Sequence, residues 1–95
     1  MLEREVETYF VSQVEKNGGS VRKLKWINRS NAPDRFVALN GAWLVELKAN
    51  GKKERPAQTR ERKRLELNGV RCRVINSVEG VDAFIKEVLA CPCPV

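Results

Sequence analysis

Ala32-Pro33-Asp34-Arg35-Phe36-Val37-Ala38-Leu39-Asn40-Gly41-Ala42-Trp43-Leu44-Val45-Glu46-Leu47-Lys48 is the stretch whose reading decides the fold. It reads as two apolar strands joined at an Asn-Gly turn, with an acid at the outer end of the first and an acid and a lysine at the outer end of the second. Alternation from Trp43 to Lys48 puts Leu44, Glu46 and Lys48 on one face and Trp43, Val45 and Leu47 on the other. Whether Asp34 joins Glu46 depends on parity. A strict two-residue loop at Asn40-Gly41 pairs Leu39 with Ala42, sets Glu46 against Arg35 and turns Asp34 away. A three-residue loop with a glycine bulge pairs Phe36 with Glu46 and Asp34 with Lys48, which brings Asp34 to the Glu46 face. The expectation is an odd loop, or a local bend at Pro33 that re-aims Asp34.

Pro-Asp, a hairpin and then Glu-x-Lys resembles the PD-(D/E)XK nuclease superfamily. More closely, Ala32-Pro33-Asp34-Arg35, Val45-Glu46-Leu47-Lys48-Ala49 and Gln58 in the next helix resemble the virus-type replication-repair nuclease (VRR-NUC) domain, over about Glu3 to Ile85. Glu-x-Lys alone is uninformative, because Glu61-Arg62-Lys63 also fits it in a basic helix with no apolar strand before it. The combination carries the resemblance.

The chain of 95 residues bears 18 basic and 12 acidic side chains, a formal net charge of +6, and 42% hydrophobic residues. That length is one small domain, near the lower end of what a single core supports, so dimerisation would help it. From Lys48 to Arg64 there are eight basic residues against two acids, Glu54 and Glu61, so the whole excess lies directly after the hairpin. This suits a polyanion held beside carboxylates, although a solvated basic helix would read the same way. Histidine is absent, which excludes Ser-His-Asp hydrolases, nucleases with a histidine base and imidazole-dependent zinc sites. Three cysteines without a CxxC pair (Cys72, Cys91, Cys93) speak against a disulfide scaffold. With a charged N-terminus and no apolar run near the roughly 18 residues that span a membrane, the expectation is a soluble, intracellular protein in the cytoplasm of a bacterial, or phage-infected, cell.

Along the chain, Leu2 to Lys16 reads as a helix with Leu2, Val6, Phe10 and Val14 on one stripe, stopped at Gly18-Gly19. Glu3 and Glu7 lie one turn apart on it, and Glu3 and Glu5 also suit the positive helix end. Ser20 to Asn28 reads as a strand with Trp26 as a core residue rather than a stacking platform, and Arg29 to Ala32 as a loop. After the hairpin comes a basic loop, Ala49 to Arg55, and a weakly amphipathic helix from Pro56 to Asn68 that carries Gln58 and Arg62 on one face. So polar a helix lies on the surface or faces nucleic acid. Val70 to Asn76 reads as a fourth strand, reached by a parallel crossover. Ser77 caps a last helix, Val78 to Ala90, with Val78, Val81, Phe84, Ile85, Val88 and Leu89 as its stripe. One domain over 1–90 and a frayed tail over 91–95 are expected. The order αβββαβα agrees with the fold the resemblance implies, a restriction-endonuclease-like α/β core with a mixed four-stranded sheet flanked by helices.

Without histidine, hydrolysis must rest on carboxylates, lysine and a hard metal, Mg2+ or Mn2+, which prefer oxygen ligands. The resemblance makes Asp34 and Glu46 metal ligands, with the backbone carbonyl of Leu47 as a further one and a helix-one glutamate completing the site, Glu7 by its distance from the helix-ending glycine, Glu3 as the alternative. Lys48 would orient the attacking water and Gln58 hold it or a carboxylate oxygen. Arg35, Lys52, Lys53, Arg55, Arg62 and Lys63 are candidate DNA phosphate contacts. The family's stand-alone, phage-type members imply a homodimer that cuts branched DNA such as four-way junctions. The competing readings are a non-catalytic DNA-binding module and a restriction-type duplex nuclease on the same scaffold.

Overall fold

The computed structural model describes residues 2–90; the tail at 91–95, with Cys91 and Cys93, lies outside them. Helix α1 spans Glu3–Lys16, strands β1 Ser20–Lys23, β2 Arg35–Ala38 and β3 Ala42–Leu47 follow, then α2 Pro56–Leu67, β4 Cys72–Ile75 and α3 Val78–Ala90. The sheet order is β1-β2-β3-β4, antiparallel through β3 and parallel between β3 and β4. The α/β architecture is the one expected from the sequence, with α2 as the crossover. Among the described residues, no helix is long and apolar enough to cross a membrane.

Each helix starts and ends for a local reason. Glu5 turns back to accept the Leu2 amide N–H at 2.9 Å, and Ser77 Oγ accepts from the Gly80 amide at 3.0 Å at the start of α3. The α1 stripe buries Val6, Phe10 and Val14, and the α3 stripe buries Val81, Phe84 and Val88. Both pack on the sheet face that carries Val37, Trp43, Val45 and Leu47. The Phe84 ring lies edge-on to Trp43 with centroids 5.4 Å apart, a favourable arrangement of ring quadrupoles. Gly19 is obligatory for a steric reason: a Cβ there would lie 2.7 Å from the Ala38 carbonyl oxygen, so α1 turns into β1 by backbone touching backbone.

The hairpin resolves the parity question. Ala38 pairs with Ala42, Val37 with Trp43, Phe36 with Leu44 and Arg35 with Val45, so the loop is the three residues Leu39, Asn40 and Gly41. Asn40 (φ 48°) and Gly41 (φ 116°) take the left-handed conformations such a loop needs. The odd loop expected from the sequence is present, but its register differs by one pair from the bulged form: the next pair outward sets Asp34 against Glu46, not against Lys48.

Two expectations for the region before the hairpin are corrected. β1 ends at Lys23, not Asn28, because after the bond from the Leu24 amide to the Asp34 carbonyl at 2.8 Å the chain leaves the sheet. Trp26 is half-buried and outside the core; its indole N–H donates to the Pro33 carbonyl at 2.8 Å. Asn28, at φ 60°, turns the chain back towards Pro33. β4 is likewise shorter than expected, Cys72–Ile75 rather than Val70 to Asn76.

Candidate active site

On the sheet face opposite α1 and α3, β2 and β3 carry Asp34, Glu46 and Lys48 to one end. Directly opposed residues of an antiparallel pair have Cβ atoms about 4.5–5.5 Å apart, so the register alone makes Asp34 and Glu46 neighbours. The same register, carried one step further, sets Pro33 opposite Leu47. The Leu44 and Lys48 amides donate to β4 carbonyls, so Leu47 turns its own backbone groups towards β2. Proline has no N–H to give, and the Leu47 carbonyl is left without a ladder donor from β2.

α2 supplies the opposite wall. Its buried residues are Gln58 and Glu61, not an apolar stripe. The Gln58 carbonyl oxygen accepts the Arg55 amide N–H at 2.8 Å, capping the helix, and this turns the side-chain NH2 towards Glu46 Oε2, 3.5 Å away. Lys48 Nζ lies 3.7 Å from the same oxygen, with the Lys48 and Glu46 side chains only 15% and 14% exposed. Together they line a cleft of about 500 Å³ whose other walls include Lys25, Trp26, Arg29 and Arg55.

The cleft is a poor place for a lone negative charge. Burial raises the Glu46 pKa, the Asp34 carboxylate raises it further, and the Lys48 ammonium opposes both. A hard cation would relieve all of this at once, since carboxylate and carbonyl oxygens are the donors it prefers. Among the described residues, no group of three or more His, Cys, Asp or Glu side chains is gathered closely enough to hold a metal. The described side chains therefore offer Asp34 and Glu46 as a pair rather than a ready three-carboxylate cluster.

α1 differs from expectation. Glu7, expected at the metal, is held by Arg35, whose Nε and Nη2 both contact its Oε2, while Arg35 Nη1 lies 2.7 Å from Asp34 Oδ1. Arg35 shares the Val45 side of the sheet and is buried. Burial works against its charge, but Glu7 and Asp34 outweigh that and raise its pKa. It links Glu7 of α1 to the Asp34 carboxylate and is not free to meet a phosphate. Glu3 on α1 adds to the negative potential that raises the Glu46 pKa.

Of the other expected phosphate contacts, Arg55 lines the cleft, and Lys52 and Lys53 line a separate groove with Glu54, Arg62 and Asn76. Arg62 is occupied by Glu54 at 2.6 Å and Glu66 at 2.9 Å. Burial raises the Glu54 pKa, but hydrogen bonds from Arg62 and Thr59 outweigh it and lower the value, so this cluster braces α2. Lys63 is exposed on α2. Lys25 and Arg29 are cleft residues that the sequence reading missed; the turn at Asn28 that brings them there leaves no pattern in composition.

No family model matches the chain. A curated relative, "Putative nuclease p44" of Acyrthosiphon pisum secondary endosymbiont phage 1, is 43% identical over 77 residues, covering 79% of this chain and 83% of that protein. A solved structure described as a VRR_NUC domain superposes with a TM-score of 0.79 at 38% identity, over 88% of this chain and 94% of that one.

Proposed function

This chain belongs to the virus-type replication-repair (VRR-NUC) nuclease family, and from that premise we propose that it is a Mg2+- or Mn2+-dependent endonuclease for branched DNA, four-way junctions above all. The observation that carries the reading is the register that sets Asp34 against Glu46 in a cleft shared with Lys48 and Gln58.

Asp34, Glu46 and the Leu47 carbonyl would hold the metal, which supplies charge neutralisation at the phosphoryl oxygens and a more acidic water. A glutamate of α1, Glu7 or Glu3, would add an oxygen, and Glu7 shares Arg35 with Asp34. Lys48 is held beside Glu46 with little exposure, so its ammonium is positioned to orient the attacking water and to balance negative charge that grows on the phosphate. Gln58 cannot rotate without losing the helix cap, and its NH2 keeps the Glu46 carboxylate aimed. Arg55, Lys52, Lys53 and Lys63 add positive charge that holds the DNA backbone without reading sequence. A two-fold homodimer would present two such sites to two strands, the arrangement a four-way substrate requires.

The test is incubation with linear, flapped and four-way DNA in Mg2+, Mn2+ or EDTA. Metal-dependent incision of the four-way substrate in preference to linear duplex is expected. Equal cutting of linear duplex would favour a restriction-type nuclease, and metal-independent binding with no incision would favour a binding module.

A further inference from the structure

Beside the cleft lies a second, smaller recess of about 240 Å³ between the Asn28–Asn31 turn and α2, walled by Arg29, Ser30, Arg60, Glu61 and Arg64. It shares Arg29 and Ser30 with the cleft, so the two are contiguous. Glu61 is 8% exposed, in a helix with almost no apolar face. Its Oε1 accepts from Arg64 Nη1 at 3.0 Å and lies 3.8 Å from Arg29 Nη1. The guanidinium-bearing side chains themselves stay open, 59% exposed for Arg29 and 64% for Arg64. A buried carboxylate thus hydrogen-bonds one arginine and lies within ion-pair distance of a second from a different element, while both side chains stay more than half exposed. With Arg60 beside them, three positive charges face one negative charge.

We propose that this recess is a second phosphate subsite, in which Arg29, Arg60 and Arg64 bind a DNA backbone phosphate neighbouring the scissile one, with Glu61 as their positioning residue; the proposal rests on the nuclease reading above. Guanidinium forks suit phosphate oxygens because two parallel N–H donors meet two acceptors, and steadying them beforehand reduces the entropy lost on binding. Glu61 and Gln58 lie three residues apart on the same buried side of α2. One helix face would therefore serve both sites, Gln58 at the scissile phosphate and Glu61 at its neighbour, which fixes how the strand crosses the protein.

Two measurements test this. In EDTA, the salt dependence of DNA binding should flatten by about 1 log–log unit in Arg60→Ala/Arg64→Ala, since each phosphate contact contributes roughly 0.9. Arg4→Ala/Lys16→Ala, on α1, should leave the slope unchanged; an equal flattening there, or none in the α2 variant, overturns the subsite. With metal, methylphosphonate linkages scanned around the cut should reveal one internal position whose neutralisation slows wild-type cleavage about tenfold or more yet slows the α2 variant no further. Additive losses, or a loss reproduced only by removing a terminal phosphate, refute an internal phosphate at these arginines. If wild-type protein cuts no DNA while the slope still falls, the nuclease reading fails and the phosphate site stands; if it cuts and the slope is unchanged, the reverse holds.

Discussion

Glu46→Gln should make the metal-free protein more stable and abolish its response to metal. The Glu46 carboxylate is 14% exposed, and burial and Asp34 raise its pKa in spite of Lys48. A folded-state pKa above the unfolded one means that the folded protein holds the proton more tightly. The stabilisation this gives is complete below the ordinary glutamate value of about 4.3 and is lost as pH rises through the folded value. At pH 8 in EDTA, glutamine removes the charge, keeps the shape and still offers Gln58 an acceptor. Directly opposed like charges cost on the order of 0.2–1 kcal/mol, so the variant should gain about that much, roughly 1–8 °C in Tm for a chain of this size. Metal at 100 times its Kd adds about 2.7 kcal/mol to the wild type, roughly 10–20 °C, and most of this is lost in the variant. The order of melting temperatures therefore inverts: variant above wild type in EDTA, below it in saturating Mn2+, with the EDTA difference shrinking as pH falls and the wild-type carboxyl takes up its proton. Thermal melts over that grid decide it. A variant that melts at or below wild type in EDTA at pH 8, or shifts equally with Mn2+, would refute the account of Glu46 as a strained carboxylate relieved by a cation.

Lys48→Ala should keep the metal-induced shift in Tm while single-turnover cleavage falls by about 10²–10³; cleavage at the wild-type rate would remove Lys48 from the chemistry. Arg35→Ala leaves Glu7 and Asp34 without their shared cation and should cost roughly 1–3 kcal/mol in urea unfolding, whereas an unchanged midpoint would mean that the pairing is idle. Gly19→Ala brings a Cβ to within 2.7 Å of the Ala38 carbonyl oxygen and 2.9 Å of Leu39 Cβ. Because backbone cannot yield as a side-chain end can, about 1–3 kcal/mol of destabilisation should appear in the same assay.

Periodicity made α1, α3 and the hairpin legible, since Val6, Phe10 and Val14, then Val81, Phe84 and Val88, and Trp43, Val45 and Leu47 are buried as their spacing requires, although the stripe ends Leu2 and Leu89 are exposed and Leu44 on the other face of β3 is buried as well. The register was only half legible. Asn40-Gly41 announces a turn, but the closing pair is Ala38 with Ala42 because Leu39 leaves the ladder: it is buried and its carbonyl takes the Trp43 indole N–H at 3.2 Å. No local propensity encodes that contact. Lys23, Lys25 and their apolar neighbours look like a continuing strand, but the chain leaves the sheet after Leu24, with the Trp26 indole N–H on the Pro33 carbonyl and Asn28 at φ 60°. The partner of Glu7 follows from the odd loop: either odd register puts Arg35 on the side of Val45 and Leu47, from which it reaches α1, and only a two-residue loop would turn it to the Glu46 face.

The least periodic element was the most informative about function. A crossover helix that merely covered the sheet would bury aliphatic side chains, because apolar area is what stabilises such packing, at about 25 cal/mol per Å². α2 buries Gln58 and Glu61 instead, so it forgoes that stabilisation on the face that meets the cleft. Its own polar contacts, Gln58 to the Arg55 amide and Arg62 to Glu54 and Glu66, lie within the helix and its leading turn, and each is too small to explain retaining a polar face in a domain this short. Proteins keep such locally unfavourable choices where a site needs them. On that argument the weak amphipathicity of Pro56 to Leu67 is a trace of the site itself, and replacing Glu61 by leucine should stabilise the fold while loosening Arg29 and Arg64. Higher stability with weaker, less salt-sensitive DNA binding is the expected signature; unchanged binding would show the helix to be polar for reasons of solubility alone.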